Sequence, residues 1–166
     1  GAVRYDKALR KTTLYNRTSM LASNKVNVVR MLNNLVWIGQ SGGLSVFNRN
    51  TGLISSYSGA NGLTNSEVLC LWPDEENVWV GTINGLFCFY PRVNRWVSYT
   101  TLDGLPSNAV YALHKTATAL WIGTKGAVTE FTIATGAKTT YTLDDDGNAR
   151  IRSLWCAGDA LYIATE

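Results

Sequence analysis

His114 is the chain's single histidine and the first place to look for proton transfer or metal binding. A nucleophilic triad needs that imidazole beside a hydroxyl and an orienting carboxylate, and zinc needs several ligands at short spacing. No repeated carboxylate or cysteine accompanies His114, so it is read as structural. Cys70, Cys88 and Cys156 cannot all pair with one another, and no two lie at a metal-binding spacing. The densest acidic run is Asp144-Asp145-Asp146-Gly147-Asn148. Its oxygens suit calcium in type, but the EF-hand spacing and a flanking helix are absent, so an acidic turn is expected. Asp74-Glu75-Glu76 reads as a hairpin turn in the same way. The sequence therefore assigns no catalytic residue, no metal and no cofactor. It does offer polar side chains just ahead of apolar strands: Asn24, Asn65, Ser66, Glu67, Asn108, Asn148 and Arg150. Such amides and charges can hydrogen-bond sugar hydroxyls or a peptide, and Tyr111 could stack on a sugar face. The same residue types also cap turns, and both readings stay open.

The elements that must position them repeat. Tyr15, Tyr57, Tyr99 and Tyr141 recur every 42 residues, and Trp37, Trp79, Trp121 and Tyr162 run in phase with them. These eight aromatics are the expected core of the repeat. The clearest unit holds four short strands, A to D: Val68 to Trp72, Val78 to Thr82, Leu86 to Phe89 and Trp96 to Tyr99. Tight turns join them, leaving no room for a crossover helix. A period of this length made of four strands predicts an all-β fold, a β-propeller of four-stranded antiparallel blades. The predicted blades are 26–58, 67–100 and 109–142. A composite fourth takes strands A and B from 151–165 and strands C and D from 2–16. Two chains exchanging such terminal half-blades would form a homodimer, an eight-bladed ring closed by a domain swap.

Composition bounds the rest. A net charge of +3 argues for neither nucleic acid nor an anionic polymer. Arg4, Lys7, Arg10, Lys11, Arg17, Lys25 and Arg30 face only Asp6 among acids over that stretch, which predicts one basic sector. No apolar run reaches membrane-spanning length. Asn16-Arg17-Thr18 matches a glycosylation sequon, a pattern too common to show secretion.

Several segments also resemble a known family. They are Val78-Trp79-Val80-Gly81-Thr82 and Leu120-Trp121-Ile122-Gly123-Thr124, with the following Asn84-Gly85-Leu86 and Gly126-Ala127-Val128. Gly62-Leu63 and Gly104-Leu105 belong with them, as do the segments Ser66 to Val68 and Asn108 to Val110. Together they are similar to the propeller repeats of two-component regulators, found in extracytoplasmic sensor halves of bacterial hybrid histidine kinases. The resemblance weakens where Ser19-Met20-Leu21 replaces Asp-Gly-Leu and where Tyr162 and Ala164 replace Trp and Gly. It implies a WD-like propeller, a periplasmic or extracellular location, and sensing of a ligand such as a carbohydrate fragment. It transfers no catalytic residue. The rival expectation is a structural, self-assembling repeat unit, natural, engineered or ancestral-like. A metal-assisted lyase or hydrolase is the third.

Overall fold

A computed structural model describes residues 1–59, 62–63, 67–143 and 148–166. The chain divides into two compact units, Gly1–Val68 and Leu69–Glu166.

In the first unit β1 (Ala2–Asp6) pairs only with β2 (Lys11–Tyr15). The turn between them is held by Asp6, whose Oδ1 accepts from the backbone N–H groups of Ala8 and Leu9 at 3.1 and 3.0 Å. Four antiparallel strands follow in chain order: β3 (Val26–Leu32), β4 (Leu35–Gln40), β5 (Gly43–Asn48) and β6 (Ile54–Tyr57). The β5–β6 turn uses the same device, Asn48 Oδ1 accepting from Asn50 and Thr51. Short polar side chains that mimic a backbone acceptor are what such turns select.

The second unit repeats the pattern twice. Its first sheet is β7 (Val68–Pro73, starting at the boundary), β8 (Val78–Thr82), β9 (Gly85–Tyr90) and β10 (Arg95–Tyr99). Its second is β11 (Ala112–Lys115), β12 (Ala119–Gly123), β13 (Ala127–Thr132) and β14 (Lys138–Thr142). A last hairpin, β15 (Ile151–Ala157) and β16 (Ala160–Thr165), stands as its own two-stranded sheet.

The expected β-propeller is corrected by this strand order. Three four-stranded sheets and two two-stranded sheets are present among the described residues, and none closes or curls into a ring. The hydrogen-bonding reason is specific. The hairpins β1–β2 and β15–β16 each pair only within themselves and do not merge into one sheet. The architecture is all-β, built from separate antiparallel sheets.

The second and third strands of each complete sheet are largely buried, because each has strand partners on both edges. Every residue of β8 is buried. Trp79 packs at 5.6 Å from Phe131 and 6.0 Å from Tyr99, ring centre to ring centre. Leu86, Leu105, Val110, Leu120 and Ile122 complete that core. Burying an aromatic ring of this size removes on the order of 150–250 Å² from water. Gly81 follows Trp79 because a Cβ there would lie 2.8 Å from Val110 Cγ1. Gly39 and Gly123 meet the same crowding from Val68 and Ile151. A smaller cluster, Ala112, Val128, Ile151 and Leu154, joins β15 to the sheet before it.

Candidate functional site

The D-to-A loops hold the residues singled out by sequence, and the structure shows what each touches. Asn24 Oδ1 accepts from the backbone N–H of Arg17 at 2.9 Å, and Asn108 Oδ1 accepts from Thr101 N–H at 2.8 Å. The two bonds are the same bond two repeats apart. Each amide ties the start of the loop to its end, the turn-capping role weighed against ligand binding. Thr100 and Asp103 close a capping box just ahead of the second.

Glu67 serves a different purpose. Its Oε1 accepts from Lys25 Nζ at 2.6 Å and Asn27 Nδ2 at 3.1 Å, and Asn27 also donates to Val68 O at 2.9 Å. Lys25 first, then Asn27, holds the Glu67 carboxyl below the usual carboxylate range. Asn65, Ser66 and Asp144 to Asp146 lie outside the described residues.

Tyr111 and Arg150 come together. The Arg150 guanidinium carbon stands 5.6 Å from the Tyr111 ring centre, a cation–π geometry. Local backbone pairing brings them there: Tyr111 N–H donates to Gly123 O at 2.8 Å, and Arg150 bridges to Lys125. Tyr111 is half-buried and Arg150 exposed, so the guanidinium lies over the ring at the solvent boundary. Asn148, two residues before Arg150, is also exposed. Tyr111 and Arg150 are the candidate residues the structure brings into contact.

The aromatic ladders separate by burial. Trp37 and Trp79 are buried. Tyr15, Tyr57, Tyr99 and Trp121 are half-buried, and Tyr141 and Tyr162 are exposed. Tyr141 donates to Glu130 Oε2 at 3.1 Å.

His114 sits in a column the sequence reading missed. By strand register it faces Trp121 as Trp155 faces Tyr162, so its counterpart in the last hairpin is Trp155. Its ring lies 5.1 Å from Trp72 and 5.0 Å from Trp155, edge-on to both. Spacings of 42 and 41 residues linked these three positions in the sequence. Burial holds the His114 imidazole below its ordinary pKa, and its Nδ1 has no hydrogen-bond partner among the described residues. That environment suits a neutral packing histidine. Cys88 is equally inert: burial pushes its thiol up to about 11. No group of three or more metal-ligating side chains is assembled among the described residues.

Sequence reading also missed a cavity of about 500 Å³ in the first unit. Val3, Tyr5, Val29, Met31 and Phe47 contribute apolar walls, with Arg4 and Arg49 among the residues lining it. Arg4 is held by Asp6 at 2.9 Å, while Arg49 Nη1 approaches Met31 Sδ at 3.8 Å. Charge separates the units as well. Residues 1–68 carry eight basic side chains against Asp6 and Glu67, leaving seven of the fifteen basic and ten of the twelve acidic residues to the second unit.

The fold is a series of antiparallel sheets in chain order with polar loops at their ends. No family model matches the chain, and no curated protein sequence matches it. Solved structures do. The chain resembles the extracellular domain assigned to the hybrid two-component system BT4673 of B. thetaiotaomicron, with TM-score 0.74 and 22% identity over 85% of this chain and 20% of that one. The corresponding domain of BT3049 from the same organism gives 0.74 and 21% over 98% and 22%. Virginiamycin B lyase from Staphylococcus aureus gives 0.68 and 19% over 84% and 48%. The chain spans about a fifth of the length of the two sensor domains. At these identities the likeness is one of fold, and a lyase shares it, so function must be argued from the site.

Proposed function

We propose that this chain is part of an extracytoplasmic sensor of the two-component type that binds a small carbohydrate or similarly polar ligand. The observation that supports it is the Tyr111–Arg150 pair. An aromatic face held by a strand start, beside an exposed guanidinium, offers stacking to the apolar face of a sugar and paired donors to its hydroxyl or carboxylate oxygens. Asn148 adds an amide within the same loop. The fold likeness to two extracellular sensor domains supplies the setting and the location. Calorimetry against a panel of neutral and acidic oligosaccharides tests the reading. Tyr111→Ala and Arg150→Ala are expected to weaken the best ligand about tenfold or more, which is about 1.4 kcal/mol each. A panel with no binder, or a binder indifferent to both substitutions, ends the proposal.

A further inference from the structure

Backbone bonds join one repeat to the next at fixed places. Ile151 N–H donates to Thr124 O at 3.2 Å, as Val110 N–H donates to Thr82 O at 2.9 Å. Three side chains stand around each such bond: the residue after the threonine, the residue before the bonded N–H, and the residue after the preceding strand's first valine. At one junction they are Lys125, Arg150 and Tyr111. At the other they are Ile83, Ala109 and Leu69. Both junctions lie within the second unit. The repeat spacing puts Ser41, Glu67 and Asn27 at the same places in the first unit.

One backbone arrangement thus carries three kinds of chemistry. Leu69, Ile83 and Ala109 offer no polar side chain. Glu67 is an acid already met, by Lys25 Nζ at 2.6 Å and Asn27 Nδ2 at 3.1 Å. Tyr111, Lys125 and Arg150 bring an aromatic ring and two cations. Lys125 and Arg150 are antiparallel bridge partners, and both are exposed. Like charges directly opposite one another repel. No carboxylate among the described residues pairs with either, although the second unit holds ten acids against seven bases. Lys115 of the same unit does take one, Asp74 at 2.6 Å. The site is built without Asp144 to Asp146, which lie outside the described residues.

We infer that this junction selects an acidic sugar, a uronic acid unit whose carboxylate lies between Arg150 and Lys125. The inference rests on the carbohydrate reading above and adds the charge of the ligand. A guanidinium meets a carboxylate through two parallel N–H···O bonds, and an ammonium adds a compact second charge. A neutral sugar leaves the two opposed cations uncompensated. The Tyr111 ring, 5.6 Å from the Arg150 guanidinium carbon, holds the planar fork in one orientation, so Tyr111 positions Arg150 as well as offering a surface to the sugar.

Calorimetry on the whole chain tests this with disaccharides of glucuronate and galacturonate, each beside its methyl ester. The ester keeps the sugar and removes the charge. At low salt the better acid is expected to bind about tenfold tighter than its ester, and the gap should shrink as salt rises. Lys125→Gln combined with Arg150→Gln should bring acid and ester within about twofold of each other, at an unchanged urea midpoint because both side chains are exposed. Arg150→Lys keeps the charge without the fork and should lose most of the preference, whereas Tyr111→Phe, which keeps the ring, should bind as the parent chain does. Acetate at the same concentration should not displace the acid. Displacement by acetate would make this a bare anion site and overturn the assignment to a sugar. Acid and ester binding equally, both weakened by Tyr111→Ala, would overturn the acidic selection and leave the carbohydrate reading standing. Binding of neutral oligosaccharides alone would do the same. An acid preference that survives the double substitution places the carboxylate elsewhere and also overturns the inference. Binding of no acid, ester or neutral oligosaccharide ends both.

Discussion

Trp79 and Tyr162 occupy the same place in two hairpins of one unit, and their surroundings differ completely. Trp79 is 3% exposed, on a strand with β7 and β9 at its edges and Phe131 and Tyr99 against its ring. Tyr162 is 64% exposed, on a strand that pairs with β15 alone among the described strands. The local text is nearly the same: Val78-Trp79-Val80-Gly81-Thr82 against Leu161-Tyr162-Ile163-Ala164-Thr165. A strand's sequence selects extended backbone and an alternating pattern. What it buries depends on which other strands are present, since the area removed from water is a property of neighbours.

The contrast can be broken most forcefully at the aromatic rings. Trp79→Ala is expected to cost about 3–5 kcal/mol, the cost of emptying a packed aromatic site, read as a lower urea midpoint. Tyr162→Ala should stay within about 0.5 kcal/mol for an isolated chain. A larger loss at Tyr162, growing with protein concentration, would mean that a second copy covers it. The neighbouring glycine sharpens the same comparison. Gly81→Ala places a Cβ 2.8 Å from Val110 Cγ1 and is expected to cost about 1–3 kcal/mol, as overpacking does. The fourth repeat already has Ala164 at that place, so Ala164→Gly should change stability by at most about 1 kcal/mol, the strand entropy of glycine.

His114 adds a pH dependence confined to the second unit. Burial lowers its folded pKa, so the unfolded chain binds the proton more readily. Its contribution to stability is whole above the unfolded pKa of about 6.5 and is lost as pH falls from there through the folded value. Urea midpoints from pH 8 to 5 should fall, and His114→Phe, which keeps a ring between Trp72 and Trp155, should flatten that part of the profile. An unchanged slope in the variant would assign the effect to other groups. The smallest effects belong to the turns. Asn24→Ala and Asn108→Ala each remove one bond to a loop N–H and should cost about 1 kcal/mol apiece. Unequal costs would show that one of the two amides has a further role.

The loops show where sequence reading reached and where it stopped. Asn24 and Asn108 were visible as repeated amides before a strand, yet capping and ligand binding select the same residue type there. Only the bonds to Arg17 and Thr101 separate the two roles. The Tyr111–Arg150 contact joins residues 39 apart, and no spacing rule foretells it. His114 was legible as structural because nothing catalytic accompanied it, but its two tryptophan neighbours depend on a register that a missing residue shifts by one in the last repeat.

By itself the sequence determined the strands, their turns and the 42-residue repeat, because alternation, tight-turn residues and an aromatic at a fixed position are local properties of the chain. It also determined the uneven charge of the two units. Tertiary structure alone decided which hairpins join. The first and last ones stand as separate two-stranded sheets rather than as one blade of a ring, because edge-to-edge hydrogen bonding is a choice between strands far apart in the chain. It also decided that one tryptophan would be core while the tyrosine in the same place would face water.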